Sequence, residues 1–394
     1  MADLADDLRR VLFTPGRLGP LDLPNRVAMS PMSRYQSPLG VPAAGVPEYY
    51  RRRAAGGVGL VIVEGSAIPH STSAYSRNIP KAHGAEALAM LRKVVDAVHG
   101  EGSRIALQLW HAGLARKPSD AEDPDEASVG PTAHFPGGEQ PARALTETDI
   151  ADIIAAYGEA AANARAAGFD AINIHGAHGY LIDQFLWPVT NTRTDSWNGT
   201  LVERARFGVE VIREMRRRVG PDFPLMLRYS QWKIPDYRAA LAQTPAELAP
   251  LLEAFVDAGI DAFDASTRRF WEPAFAGSDL NLAGWTKKLT GKDTMSVGSV
   301  GLDQSLDPRG MRGQDQAAAG QAHMADLVKM LDRGDFDVIA AGRVLLANPE
   351  WPRLAAEGRF AELRPFDPRM LATLECSEVE LAPAEPGAAP ISSL

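Results

Sequence analysis

Two histidines and a tyrosine occur within six positions of the segment NIHGAHGYLIDQFLWP, residues 173–188: His175, His178 and Tyr180. The chain has eight histidines in all, so this segment places a quarter of them beside a phenol. Imidazole and phenol groups can bind a metal, stabilise a structural turn, or donate hydrogen bonds and a proton to a substrate. The three residues alone leave these alternatives open, because their roles depend on the elements that carry them.

The composition is that of a globular protein that binds small molecules. The chain has 394 residues, of which 45% are hydrophobic and 23% are charged. Its net charge of −9 argues against a nucleic-acid partner, since phosphate binding needs a basic surface. No window approaches the roughly 20 apolar residues of a membrane helix, and the acidic start MADLADDLRRVLF does not resemble a secretory signal. The single cysteine, Cys376, excludes an internal disulfide, so we expect a soluble, cytoplasmic protein.

Short apolar runs recur along the chain, four of them directly after a glycine that ends a helix-like stretch. Glycine is the expected C-terminal cap of a helix, and the run that follows has the length of a β-strand. The four glycine-led runs lie at 56–65, 167–176, 258–267 and 333–343. Four more runs of strand length lie at 25–31, 104–111, 223–230 and 294–302. The sequence therefore predicts eight strands separated by amphipathic helices.

Strict alternation of strands and helices implies parallel strands joined by crossover helices. Eight such units favour a closed (β/α)8 TIM barrel, and no GxGxxG motif follows the first strand to indicate a Rossmann domain. Extended loops are predicted after strands three and six, at residues 112–145 and 268–293, on the functional face of the barrel. We predict one barrel domain with an N-terminal lead over residues 1–362 and a partly disordered tail over 363–394.

Polar residues near the strand ends share the parity of the barrel interior. In strand four, Ile172 and Ile174 have one parity, which we assign to the helices, so Asn173 and His175 point into the barrel mouth. The same alternation pairs the following residues on strands three and five: Gln108 with Trp110, and Arg228 with Ser230. Buried polar groups need partners, and several that converge at one rim indicate a ligand.

The ends of strands seven and eight are rich in glycine. They read SVGSVG and AAGR, and loops at this position of a barrel commonly bind phosphate through backbone N–H groups. Arg343 would bind the same phosphate through two parallel hydrogen bonds.

Several motifs together resemble the Old Yellow Enzyme family of FMN-dependent NADH:flavin oxidoreductases. In chain order they are LFTPGRLGPLDLPNRVAMSPMSRY, VGLVIVEGSAI, QLWHAG, IHGAHGYLIDQFL with NTRTDSWNGTLVERARF, LRYS and AAGRVLLANP. The resemblance extends from about residue 12 to about residue 355. It implies a (β/α)8 barrel with FMN bound across the strand ends and NAD(P)H as the reductant.

The resemblance also implies roles for individual residues. The residues that would contact FMN are Pro31, Met32, Ser33, Gly65, Gln108, His175, Arg228, Gly301, Gly342 and Arg343. The residues that would shape the substrate pocket are Tyr35 and Trp110, with His175 and His178 as donors to the activating oxygen of the substrate. Tyr180 would be the proton donor. The implied function is reduction of the C=C bond of α,β-unsaturated carbonyl or nitro compounds, an ene-reductase activity.

Other interpretations remain beside this one. A metal site would need further ligands, such as the glutamate of HExxH or a cysteine, so none is predicted. The same barrel could carry out FMN-dependent oxidative N-demethylation or another amine oxidation. A flavin-free barrel lyase would need a Schiff-base lysine or a metal, and no lysine lies at any predicted strand end. The physiological substrate, the choice of NADH or NADPH, the stereochemistry and the assembly state, including a homo-oligomer, stay open.

Overall fold

A computed structural model describes residues 2–121, 123–137, 142–302 and 320–374. The tail predicted for residues 363–394 therefore lies outside the described residues from position 375 onward. Its described part packs against the rest of the chain, since Arg34 donates to the carbonyl of Met370 at 2.7 Å and Arg52 to that of Leu374 at 2.7 Å. The predicted division at residue 362 stays a prediction.

Helices and strands alternate along most of the described chain. The strands are β1 (Gly16–Leu18), β2 (Leu21–Leu23), β3 (Val27–Met29), β4 (Leu60–Ala67), β5 (Arg104–Trp110), β6 (Ser128–Gly130), β7 (Ala142–Ala144), β8 (Ala171–His178), β9 (Leu225–Lys233), β10 (Ala262–Ser266), β11 (Asp293–Val297) and β12 (Val338–Ala341). The helices are α1 (Ala2–Leu12), α2 (Val46–Ala55), α3 (Ala85–His99), α4 (Glu147–Ala166), α5 (Leu181–Leu186), α6 (Leu201–Arg204), α7 (Arg206–Val219), α8 (Pro245–Ala258), α9 (Leu282–Thr290), α10 (Met324–Asp332), α11 (Arg343–Ala347) and α12 (Trp351–Ala356).

Eight parallel strands close into a barrel, in the order β3, β4, β5, β8, β9, β10, β11 and β12. The last strand pairs with the first, with Ile339 opposite Val27 and Ala341 opposite Met29. These are the eight strands that the sequence predicted, so the (β/α)8 TIM barrel is confirmed. Since all strands run in one direction, their carboxyl ends meet at a single mouth.

The glycines that precede four of the predicted strands have backbone conformations that other residues adopt at a cost. Gly57, Gly168, Gly259 and Gly334 have φ angles of 104°, 94°, 112° and 73°. Glycine has no Cβ and reaches this left-handed region without steric strain, which lets the chain leave a helix and turn directly into a strand. The recurring pattern in the sequence thus reports a real turn geometry.

The barrel interior has an apolar lower layer and a polar upper layer. Ala106, Ala171 and Met226 fill the lower layer, and the hairpin of β1 and β2 packs leucines beneath it. Two residues further along the same strands, polar side chains take their place, as the alternation predicted. Ile172 and Ile174 instead belong to the core between the strands and the helices. The polar layer thus forms the floor of the barrel mouth.

Two long segments, which we call excursions, extend from the barrel mouth after the strands that the sequence predicted. The first follows β5 and contains the small parallel sheet of β6 and β7. The second follows β10, but residues 282–290 form helix α9, so the loop is shorter than the predicted 268–293. Asn281 caps this helix by accepting a hydrogen bond from Gly284 N at 2.8 Å. Among the described residues, no helix is both long and apolar enough to cross a membrane.

Candidate active site

An open cavity of about 1000 Å³ lies at the carboxyl ends of the strands, and we name it the central chamber. The residues singled out from the sequence that line it are Pro31, Met32, Ser33, Gly65, Gln108, Trp110, His175, His178, Tyr180 and Arg343. Five further residues complete its walls: Trp232, Ile234, Tyr237, Phe366 and Leu371. The structure therefore brings most of the predicted site residues to one place.

A second cavity of about 800 Å³, the arginine chamber, continues from the first and shares His178, Trp232 and Arg343 with it. Its far wall is made by the ends of β11 and β12, and the residues there include Gly298, Ser299, Gly342 and Arg343. Arg228 and Arg268 also line this chamber. The arginine chamber therefore ends in small residues and cationic side chains.

Two predicted site residues lie beside the chambers without lining them. A Cβ atom on Gly301 would come within 2.7 Å of Nε1 of Trp351, so this glycine permits close packing against α12, while Val300 and Leu302 line the arginine chamber. The Tyr35 hydroxyl lies 2.5 Å from that of Tyr75. The roles predicted for Gly301 and Tyr35 stay predictions.

The two histidines meet edge to face in the central chamber, with ring centroids 5.1 Å apart. Burial lowers the pKa of both imidazoles well below the usual value, and the nearby Arg228 guanidinium acts in the same direction. Nε2 of His178 lies 2.8 Å from Oγ of Ser266. Among the described residues, no group of three His, Cys, Asp or Glu side chains is placed to hold a metal. The lowered pKa values keep both imidazoles neutral at physiological pH.

Tyr180 lies against the same two walls. Its ring packs edge to face on Trp110 at 4.5 Å and lies 4.9 Å from the ring of His175, between centroids. Burial raises the pKa of Tyr180 above its ordinary value, with a further contribution from the phenol of Tyr35. The phenol therefore keeps its proton at neutral pH.

The backbone between His178 and Tyr180 is held in an unusual conformation. His178 and Gly179 have φ angles of 65° and 85°. The N–H of Gly179 donates to Oδ2 of Asp183 at 2.7 Å, and its carbonyl accepts from Nε2 of Gln184 at 2.7 Å. Oδ1 of Asp183 forms a fully buried ion pair with Nζ of Lys233, also at 2.7 Å. This clamp fixes the turn that presents both His178 and Tyr180.

Breaking the ion pair from one side should destabilise the fold strongly. Asp183→Asn leaves the ammonium of Lys233 buried without a counter-ion, which costs about 3–5 kcal/mol, whereas the double replacement Asp183→Asn with Lys233→Met removes both charges and costs much less. Urea unfolding monitored by circular dichroism measures the difference. Arg213→Ala, which breaks an exposed pair with Glu210, is the control and should change little. Equal losses in the single and double variants would contradict the expected coupling.

A chain of hydrogen bonds crosses the floor of the mouth. Nη1 of Arg228 pairs with Oδ2 of Asp264 at 2.7 Å, and the same oxygen accepts from Nδ2 of Asn173 at 3.0 Å. Oδ1 of Asn173 in turn accepts from Nε2 of Gln108 at 2.8 Å. Nη2 of Arg228 reaches Oγ of Ser266 at 3.4 Å. The guanidinium is therefore fixed in place on β9, where Arg228 lies opposite His175 of β8.

A family model described as the NADH:flavin oxidoreductase / NADH oxidase family matches residues 11–362. The chain belongs to this family. The resemblance to Old Yellow Enzyme found in the sequence motifs is thereby confirmed.

Two relatives within the family and one solved structure show how far the likeness extends. A metal reductase of Desulforamulus reducens is 32% identical over 369 residues, which are 90% of this chain and 50% of the relative, so the chain spans about half the length of that protein. A putative 12-oxophytodienoate reductase-like protein of Arabidopsis thaliana is 32% identical over 84% of this chain and 96% of its own length. Morphinone reductase in complex with tetrahydroNAD superposes with a TM-score of 0.74 at 28% identity, covering 91% of this chain and 93% of the other.

The two connected chambers fit FMN, the flavin of this family. A Cβ on Gly65 would lie 3.3 Å from Oε1 of Gln108, and one on Gly342 would lie 3.3 Å from Sδ of Met32, so glycine keeps both walls open to a flat ring. The far end offers Arg343, whose Nη2 donates to Oγ of Ser299 at 3.2 Å, as a partner for a phosphate. Neutral polar groups at one end and cations at the other suit an elongated ligand with a single anionic terminus.

Several residues that shape the candidate active site were not singled out from the sequence. Asp264 anchors Arg228, and Ser266 contacts His178; both have the interior parity on β10, so the alternation used for the other strands would have found them. Trp232 stacks on His178 with centroids 4.4 Å apart, and it lies just beyond Ser230, the predicted end of its strand. Tyr75 gave no signal, since it comes from a loop without periodicity.

Proposed function

We propose that the chain is an FMN-dependent oxidoreductase that takes hydride from NAD(P)H and reduces the C=C bond of α,β-unsaturated carbonyl or nitro compounds. One observation supports this most: the imidazoles of His175 and His178 and the phenol of Tyr180 line the same chamber at the carboxyl ends of the strands, and burial shifts the pKa of each group toward its neutral form. Family membership supports the flavin and the nicotinamide reductant. When bound, FMN would accept and deliver the hydride.

The FMN would be held by residues from both chambers. Arg343 and Ser299 would bind its phosphate, and Gln108, His175 and Arg228 would contact the polar edge of its ring. The paired carboxylate of Asp264 holds the guanidinium of Arg228 in position, so negative charge that develops beside it meets a preorganised cation.

The hydrogen bonds around Ser266 favour one tautomer of His178. Oγ of Ser266 accepts from the guanidinium of Arg228, which can only donate, and among the described residues Nε2 of His178 is the acceptor within reach of the Ser266 proton. If the hydroxyl donates to Nε2, the single N–H group of the neutral imidazole is on Nδ1. His178 would therefore offer Nδ1–H to a ligand in the central chamber.

His175 would supply the second donor. Its Nδ1 is buried without a partner among the described residues. An unsatisfied lone pair is less costly to bury than an unsatisfied N–H, which favours the proton on Nε2. An alkene that gains hydride at its β-carbon develops negative charge on its carbonyl or nitro oxygen, and both N–H groups would stabilise that charge.

Tyr180 would complete the reduction. Its raised pKa keeps the phenol protonated, and the α-carbon of the substrate takes up this proton while the former double bond becomes single. The indole rings of Trp110 and Trp232 flank the chamber and limit the access of water to the reacting atoms.

The other interpretations have less support. An amine under oxidation develops no oxyanion, so the paired N–H donors would have no task in amine oxidation. For a lyase, no lysine lies at a predicted strand end, but β9 continues beyond the predicted Ser230 and ends at Lys233. Lys233 is not placed to form a Schiff base with a ligand, because its Nζ is paired with Asp183 and the residue lines neither the central chamber nor the arginine chamber.

The visible spectrum of the purified protein tests the proposal. We expect a yellow protein that bleaches when NADH or NADPH is added without oxygen and regains its colour when cyclohex-2-enone is added. A protein that bleaches but fails to recover colour with any activated alkene would show that the substrate class is wrong. A colourless protein from which heat releases no FMN would contradict the proposal as a whole.

A further inference from the structure

A third, open cavity adjoins the central chamber, with about 610 Å³ of space including its opening to solvent, and we name it the side chamber. The two cavities share His178, Tyr180 and Ile234, so they meet at the turn that presents the proposed donors. The outer wall of the side chamber comes from the long excursion after β5, which contributes Ala115 and Phe135. A ligand bound at the histidines therefore has a direct continuation past Tyr180.

We propose that the side chamber binds an apolar substituent attached to the α-carbon of the substrate. This inference rests on the proposed function, because it uses Tyr180 as the proton donor to that carbon. The carbon that Tyr180 protonates is the part of the substrate nearest to the shared wall. A group attached there extends past the phenol into the side chamber.

The walls of the side chamber define the chemistry of its ligand. Phe135, Pro235 and the ring of Tyr75 offer apolar surface, and Lys117 is the single residue with a charge among the described residues that line it. A hydrocarbon chain or ring gains free energy from burial against such surface. The preferred substrates are therefore activated alkenes with an apolar chain or ring at the α-carbon.

The central chamber has less room for this substituent, because it must hold the flavin ring as well as the reacting alkene. The side chamber lies instead between the β5 excursion and the segment after β9, where Ile234 and Pro235 form its edge.

Binding of saturated ketones to the FMN-loaded protein isolates this contact from catalysis. The two probes are cyclohexanone and 2-hexylcyclohexanone, and Kd is read from the change in flavin absorbance or tryptophan fluorescence. We expect the hexyl ketone to bind at least about tenfold more tightly, since burial of about two methylene groups is sufficient for that gain. 3-Hexylcyclohexanone carries the chain on the β-carbon instead, and its Kd should be improved less relative to cyclohexanone.

Ala115→Trp should fill the side chamber and abolish the advantage of the hexyl ketone while leaving the Kd of cyclohexanone unchanged. Ala144→Trp is the matched control, because Ala144 is exposed on the same excursion and does not line the chamber. Phe135→Ala is a second variant that removes a wall without adding bulk, and it should weaken binding of the hexyl ketone alone. If the advantage persists in both chamber variants, or is lost equally in Ala144→Trp, the proposal is wrong.

Turnover of cyclohex-2-enone separates this inference from the proposed function. If the protein reduces cyclohex-2-enone but the ketone series shows no hexyl preference, the side-chamber proposal is wrong and the proposed function is kept. If no activated alkene is reduced, the proposed function is wrong, and the ketone Kd values still decide whether the side chamber binds an apolar chain.

Discussion

Replacing Tyr180 with phenylalanine is expected to slow alkene reduction about 100- to 10,000-fold, the usual contribution of a positioned general acid. The ring of phenylalanine keeps the edge-to-face contact with Trp110, so the wall of the central chamber is preserved. Only the hydroxyl group, and with it the proton, is removed. Reduction of the flavin by NAD(P)H needs no proton from this phenol and should proceed at nearly the same rate.

Anaerobic stopped-flow measurements separate the two half-reactions of this variant. Tyr35→Phe is the matched control, since the Tyr35 hydroxyl is bonded to Tyr75 and the residue does not line the central chamber. That variant should lose much less activity. Equal slowing of both half-reactions in Tyr180→Phe would show that the residue supports the site as a whole and is not the proton donor.

The pH dependence follows from the same groups. Because the pKa of Tyr180 is raised, the phenol remains protonated as the pH rises toward its ordinary value of about 10. Because the pKa values of His175 and His178 are lowered, both imidazoles remain neutral as the pH falls below about 6.5. The alkene half-reaction should therefore be nearly independent of pH across the neutral range.

The barrel was predictable because its signals are local. Gly168 and Gly259 mark the turn from helix to strand, and the parity of Asn173 and His175 on β8 identifies the side that faces the interior. Each of these signals depends on neighbouring residues alone. Eight repeats of the same unit then leave few ways of arranging the strands.

Other features depend on contacts between distant segments and could not be read in this way. Strand β9 extends to Lys233 because that residue pairs with His178 of β8, which the sequence near Lys233 does not encode. Phe366 and Leu371 reach the central chamber because the segment that carries them is fixed to the guanidinium of Arg34. No periodicity in the sequence of residues 363–374 predicts this contact.

For the motif residues too, only part of their surroundings could be predicted from the sequence. The sequence places His178 two positions before Tyr180, but the hydrogen bond between His178 and Ser266 joins residues 88 positions apart in the chain. The stack of Trp232 on the same imidazole is equally non-local. The resemblance therefore predicted most of the residues that line the chambers, and the structure adds the contacts that their individual atoms make.

His178→Leu is expected to lower kcat/KM for cyclohex-2-enone about 100- to 1000-fold, the usual cost of losing one oxyanion donor. Leucine keeps an apolar contact with Trp232 but cannot donate. His178→Asn is the matched variant, because its amide nitrogen occupies a position close to that of Nδ1, and it should restore most of the lost activity. Steady-state kinetics on the three proteins measure the difference. If asparagine is as poor as leucine, the donor at Nδ1 is wrongly assigned.

Ser266→Ala tests the source of that tautomer. Without the hydroxyl, nothing directs the imidazole proton to Nδ1, and His178 can place it on Nε2 instead. We expect a loss of about tenfold, smaller than that of His178→Leu, because the imidazole can still adopt the productive tautomer part of the time. The double variant Ser266→Ala with His178→Asn should show no further loss, since an amide has no tautomer to select. A full additive loss in that double variant would mean that Ser266 acts on the site by another route.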